Sequence, residues 1–475
     1  MKKTIYTLFL LFGFNPVTHS AIHYKNASQN KTAQQLFDKG MLNYYGYLYV
    51  QAEYDFRQAL VYDPKCGICY WGLAIAKKQQ ALELIKPFAT IGFADIQKAT
   101  RLVDRSNEFQ YDVIHAAMKS FSLDPKISSK QLQVNYINAL RSLHQKYKNN
   151  NEWREESLAL FVDAIAYYPS VNDPITLINH CGQVLSKEYK QEAVNLMTPV
   201  LKNADHPGLI HTYIHMTERD LNNPLSEALA KKIPQFSMGE IAHFMHMPNH
   251  IYWRRGMYDK AIQANYATII IDKNYFQHGG VGLHSYYYEY HYLHSYHFLA
   301  ALGILTNNFD LAIENARAVK KMMNPKRIES LPDYRDTFFS LEHLVLARFQ
   351  KWNDVLQLKI PSQTGELGLL FIHFSKALSY LNLSQESQYK KLYMQIKNEK
   401  YARLNMQELQ ILCLSYLQAS EMKLNHVSLN KMKDVFLKNK VDKIEDKLFV
   451  MNPPLWFFPY KMFLAQAAHK EGVLT

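Results

Sequence analysis

The chain has few of the features that build a disulfide scaffold, a sheet or a membrane span. Only four of its 475 residues are cysteine, Cys66, Cys69, Cys181 and Cys413, too few for cross-links to replace a hydrophobic core. Cys66 and Cys69 make one CxxC at a helix-helix junction, which an oxidising compartment could close or a metal could bridge. No second CxxC exists, so a four-cysteine zinc site is excluded. Glycine and proline number 17 each, which excludes a loop-rich or disordered chain. Alternating strand patterns are nearly absent. Beyond the N-terminus no apolar run is long enough to span a bilayer, and no cysteine follows the first apolar stretch to carry a lipid. The net charge is +12, but the lysines are scattered with no dense basic run. They therefore read as solvated helix faces, not as a nucleic-acid surface.

What is present is apolar periodicity. With 48% hydrophobic residues the chain can bury a large core, and from about Thr32 onward apolar residues recur at three and four spacing, which predicts helix after helix. Residues 1–20 read as a secretory signal, with Lys2 and Lys3 ahead of the apolar stretch Ile5 to Phe14 and small residues around a cleavage point after Ser20. Export to a periplasm or the exterior is the expectation, with no membrane attachment once the signal is removed. A short tail, 21–31, should lead into one unbroken solenoid, 32–475.

The solenoid expectation rests on spacing. Gly40, Ala52, Phe56, Ala59 and Pro64 occupy the small, aromatic and helix-ending positions of a helix-turn-helix repeat of about 34 residues, the tetratricopeptide type. The pattern returns around Gly256 to Ala261 and Asn308 to Ala312. The fold class is thus all-α, a superhelix of paired helices with a concave face lined by the first helix of each pair. Longer connections are expected around residues 86–93, 166–174, 274–290 and 360–368.

Histidine carries the chemistry. His211, His215 and Glu218 follow an i, i+4, i+7 spacing on one helix face, and His243, His246 and His250 follow i, i+3, i+7. His291, His294 and His297 repeat the i, i+3 step. A lone HxxxH is expected about once by chance in this composition, whereas the HxxHxxxH triplet is expected only ~0.03 times. His243 and His246 lie 18 and 15 residues before Ala261, as His294 and His297 do before Ala312, so the two pairs hold equivalent places in two repeats. Pro248 is expected to disturb the helix and leave His250 on a kinked segment.

Further stretches tie the chain to a family: Tyr70-Trp71-Gly72-Leu73-Ala74, Phe161-Val162-Asp163-Ala164, His206-Pro207-Gly208, His246-Met247-Pro248-Asn249-His250-Ile251-Tyr252 and Pro453-Pro454-Leu455-Trp456-Phe457-Phe458-Pro459. Through nearly all of its length after the signal the chain resembles bacterial tetratricopeptide-repeat proteins, often exported, that carry an HMPxHIY motif. The resemblance implies a repeat solenoid with its shared site at the histidines, and brings no settled activity with it. One departure concerns the first repeat junction, where a single cysteine has become the Cys66 and Cys69 pair.

Two readings follow. In one, His211, His215, His243, His246, His250, His294 and His297 hold one or two transition-metal ions at the concave face, with Glu218 as a catalytic base if the protein is an enzyme. All-imidazole donors favour zinc, copper or iron over magnesium or calcium. In the other, the groove binds an extended peptide or a protein, with histidines and tyrosines as contacts. The HExxH pattern, a serine nucleophile motif and a phosphate loop are all missing. Imidazoles converging from three helices would favour the metal, and side chains splayed along a groove the peptide.

Overall fold

Asn30 opens the first helix. Its side-chain oxygen accepts from the Thr32 and Ala33 backbone N–H groups, two of the donors that a helix start leaves without partners. Helix Lys31–Tyr45 turns through residues 46–48 into helix Tyr49–Tyr62, which stops at Asp63, before Pro64, as the pattern predicts. The next helix, Gly67–Glu83, closes on the same aromatic ring that organises the first pair. A Cβ at Gly40 would lie 2.6 Å from the Phe56 ring, and one at Gly72 would lie 2.7 Å from it. The small positions of the pattern are therefore contact positions, where any larger residue would push two helices apart.

The computed structural model describes residues 22–83, 88–166, 187–329, 331–448 and 453–470, so the signal expected at 1–20 and Cys181 lie outside the described residues. Among those described, the chain forms 22 α-helices and no strand, with helices packed in neighbouring pairs, an arrangement compatible with an α-solenoid. No described helix is long and apolar enough to cross a membrane. Pairs that matter below are Ala242–Tyr252 with Tyr258–Gln277 and Leu293–Leu305 with Phe309–Met322.

Two details depart from expectation. Helix Ala242–Tyr252 runs through Pro248 without ending there, so His250 stays on the same helix as His243 and His246. The proline removes one backbone donor, the one the Phe244 carbonyl would have met, and burial of ten of the eleven residues on this helix holds the segment in place. The inner side of the middle helical pairs is also covered. Helix Pro207–Thr217 packs against both Lys31–Tyr45 and Arg154–Ala166, and the Tyr275 hydroxyl donates to Gln51 Oε1 at 2.9 Å. The first helical pair thus folds over the face that carries the histidines.

Candidate metal centre

The sequence His206-Pro207-Gly208 sets the first helix of the site. His206 Nδ1 accepts from the Leu209 N–H at 3.4 Å, which leaves its Nε2 proton to donate to Glu156 Oε2 at 2.8 Å. Pro207 fills the first helical position, where its missing N–H costs nothing. Gly208 lies against Tyr45, whose ring a Cβ there would meet at 2.4 Å. This close approach brings the Tyr45 carbonyl, at the end of its own helix, to 2.6 Å from His211 Nδ1.

That one contact decides the tautomer of His211. A carbonyl only accepts, so Nδ1 carries the proton and Nε2 presents a lone pair. His211 Nε2 lies 3.1 Å from His215 Nε2 and 3.1 Å from His243 Nε2. Nitrogens bound to one tetrahedral ion at about 2.0–2.1 Å stand ~3.3 Å apart, so two of the three separations are close to those of ligands on one metal, and all three donor atoms lie within 4.8 Å of one another. Tyr47, in a left-handed backbone conformation with φ 62°, covers this triad with its ring centroid 4.2 Å from that of His211 and 5.2 Å from that of His243.

Two more groups adjoin it. His246, His250 and His294 bring donor atoms within 4.8 Å of one another, as do His215, Glu218 and His250. Glu218 Oε2 lies 3.0 Å from His250 Nδ1 and 4.0 Å from His215 Nδ1, and Oε1 lies 3.6 Å from Arg254. One carboxylate therefore touches a ligand candidate from each triad. Burial alone would raise its pKa, but His250, His215 and Arg254 outweigh burial and hold the carboxyl well below the usual carboxylate range.

The imidazoles are interior groups, from 0% exposed at His250 to 7% at His294. Burial, reinforced by their neighbours, pushes the pKa values of His211, His243 and His246 well down, and burial lowers that of His215 to about 4. These four are neutral at pH 7 and keep lone pairs for a metal. Neither nitrogen of His246 has a hydrogen-bond partner of normal geometry, Asn265 being the one side chain near enough to favour its protonation. The Asn249 side chain beside it is fully buried and also without a partner.

Of the histidines singled out by spacing, His211, His215, His243, His246, His250 and His294 come together with Glu218, and His297 does not. Equivalent repeat positions predict that the pair His243 and His246 and the pair His294 and His297 line the same inner surface. The contacts are staggered by one turn, His243 against His291 at 4.8 Å and His246 against His294 at 5.0 Å between ring centroids. His291 lies in a π-helical turn, Tyr288–Tyr292, immediately before the helix, and its ring is on the inner face beside His243. His297 is left beyond the group, edge-on to Phe338 at 5.6 Å, and burial lowers its pKa to about 3. Spacing alone also missed Tyr47, the Tyr45 carbonyl and Arg254. Only His291 had a signal, its i, i+3 relation to His294.

No protein-family model, curated protein or solved structure matches the chain. The functional reading therefore rests on the geometry of the site.

Proposed function

We propose that this is an exported tetratricopeptide-type repeat protein that binds transition metal in its buried histidine box. One ion would sit on His211, His215 and His243 and a second on His246, His250 and His294, with Glu218 orienting His215 and His250 between them. The observation that carries this reading is the trio of Nε2 atoms with two 3.1 Å separations, together with the Tyr45 carbonyl that fixes the His211 tautomer. A backbone carbonyl or carboxylate on the second ring nitrogen is the usual support of a metal-bound histidine. The buried Asn249 side chain, which has no partner, supports it too, because a buried polar group without a partner costs about 1–3 kcal/mol.

The donor set suits zinc, copper or iron. Three imidazoles leave a fourth position on a tetrahedral ion for water or a small ligand, the arrangement of catalytic sites, and a bound ion there would act as a Lewis acid or, if redox-active, as an electron carrier. Glu218 suits the role of an orienting carboxylate better than that of a base, because a carboxyl held so far below neutrality accepts protons poorly. A peptide-binding groove is less well supported at this place, since the histidines are buried and convergent. Export would put the Cys66–Cys69 disulfide in an oxidising compartment, where it persists.

Elemental analysis of protein purified without a histidine tag tests the reading. The parent should carry one or two equivalents of zinc, copper or iron, the His211→Ala/His243→Ala variant should lose at least one of them, and His297→Ala should retain all. A parent that is metal-free and takes up none of the three when supplied would overturn it.

A further inference from the structure

Outside the histidine box, the feature of the sequence that the metal reading leaves unused is the CxxC. Cys66 and Cys69 form a disulfide at the start of helix Gly67–Glu83. Cys66 stands just before the helix, and the Cys69 N–H donates to its Sγ at 3.1 Å. The two sulfurs are not equivalent. A cleft of about 570 Å³ is lined by Cys66 and Gly67 together with Asp63, Asp104 and Trp153; Cys66 is 4% exposed at its wall, whereas Cys69 is 0% exposed and does not line it. Gly67 keeps that approach narrow, since a Cβ there would meet the Val103 backbone nitrogen at 2.9 Å.

We propose that Cys66–Cys69 is a thiol-disulfide exchange site whose substrate is a cysteine pair on a neutral or basic polypeptide entering this cleft. The geometry assigns the roles. An incoming thiolate reaches Cys66 Sγ from the cleft, forms a mixed disulfide with it and breaks the Cys66–Cys69 bond. Cys69 leaves as a thiolate and takes up the proton that the incoming thiol gave up. A second thiol of the same partner then attacks the mixed disulfide and releases Cys66 as a thiolate, beside the Cys69 N–H that already points at its sulfur. The partner dithiol is oxidised by two electrons and Cys66–Cys69 is reduced by two.

Charge sets the preference among thiols. The acidic groups lining the cleft are Asp63, Asp104, Glu108 and Glu152, against the amines of Lys25 and Lys65. Lys25 is paired with Glu152 at 3.5 Å, and Glu108 with Lys146 at 2.7 Å, so Asp63 and Asp104 against Lys65 set the residual sign, which is negative. A cationic thiol enters such a cleft more readily than an anionic one.

The test uses the folded, oxidised full-length chain with cysteamine or 3-mercaptopropionate at equal thiolate concentration, followed by acid quench and peptide mass mapping. Adducts should appear on Cys66, several-fold faster with cysteamine. For the single-cysteine variants the probe is the disulfide cystamine, which exchanges with a free thiol and releases cysteamine: Cys69→Ser should form and keep a Cys66 mixed disulfide, having lost the group that expels the thiol, and Cys66→Ser should form no adduct at Cys69. A disulfide that stays intact in the native parent and opens only after urea unfolding would overturn the proposal and leave a cross-link of the helical corner. So would an adduct on Cys69, or a faster reaction with the anionic thiol. The parent measurement stands without either variant if a substitution prevents folding.

Discussion

Glu218 is 3% exposed and keeps its negative charge because His250, His215 and Arg254 surround it. Replacing it with glutamine preserves the shape and removes the charge, which separates orientation from packing. The Glu218→Gln variant should bind metal about 10–100-fold more weakly, as loss of a supporting carboxylate does elsewhere. Arg254, with its side chain 3% exposed, would also lose its countercharge, and stripping one partner from a buried ion pair costs about 3–5 kcal/mol. Competition with a chelator of known affinity measures the first effect and urea denaturation of metal-free protein the second. Unchanged metal affinity in Glu218→Gln would remove Glu218 from the metal-binding design.

Each histidine-bearing helix could be read from the sequence, because spacings of three, four and seven residues define one helix face whatever that face meets. Which turn of one helix meets which turn of the next could not. That depends on the stagger between the two helices, which puts His291, in the π-helical turn at Tyr288–Tyr292, beside His243 and leaves His297 against Phe338. The closing of the first helical pair over the histidines was likewise hidden, since it rests on Gly208 under Tyr45 and on Tyr47, whose left-handed conformation no periodic pattern announces. The small-residue positions Gly40 and Gly72 were legible because they repeat with the fold. Helix Tyr258–Gln277 holds another group that pattern does not reveal. Asp272 is 1% exposed, accepts from the Tyr287 hydroxyl at 2.9 Å, and burial raises its pKa to about 8. Its folded pKa lies above the unfolded value near 3.8, so the unfolded state loses this proton first as pH rises. Asp272 therefore adds nothing to instability below about pH 4 and costs ~1.4 kcal/mol for each unit between there and its folded pKa, at most. The Asp272→Asn variant should flatten the fall in stability between pH 4 and pH 8 and be more stable than the parent at pH 8. Equal slopes in denaturant midpoints across that range would show that Asp272 is solvated in solution.

The whole molecule is tied together at the histidine box by contacts that are distant in sequence. The Tyr45 carbonyl meets His211, Tyr47 packs on His211 and His243, and Gln51 meets Tyr275, so the first helical pair is held to helices some 160 to 220 residues away. The C-terminal helices have a separate apolar core that includes Leu370, Phe374, Leu412 and Trp456 and takes nothing from Tyr45 or Tyr47. A ligand that binds only the folded state stabilises it by about 2.7 kcal/mol at a hundred times its dissociation constant, and under the proposed function that stabilisation would enter at the seam between the N-terminal pair and the middle helices. Removing metal with a chelator should then lower protection unevenly. Hydrogen exchange should quicken in Lys31–Tyr45, Pro207–Thr217 and Ala242–Tyr252, while Leu404–Leu424, whose packing is independent of the seam, keeps its rate. A uniform loss across all four helices would mean that the chain opens as one unit and that the box is not a local clasp. No change in any of them would mean that the histidines are held by packing alone, with no contribution from metal.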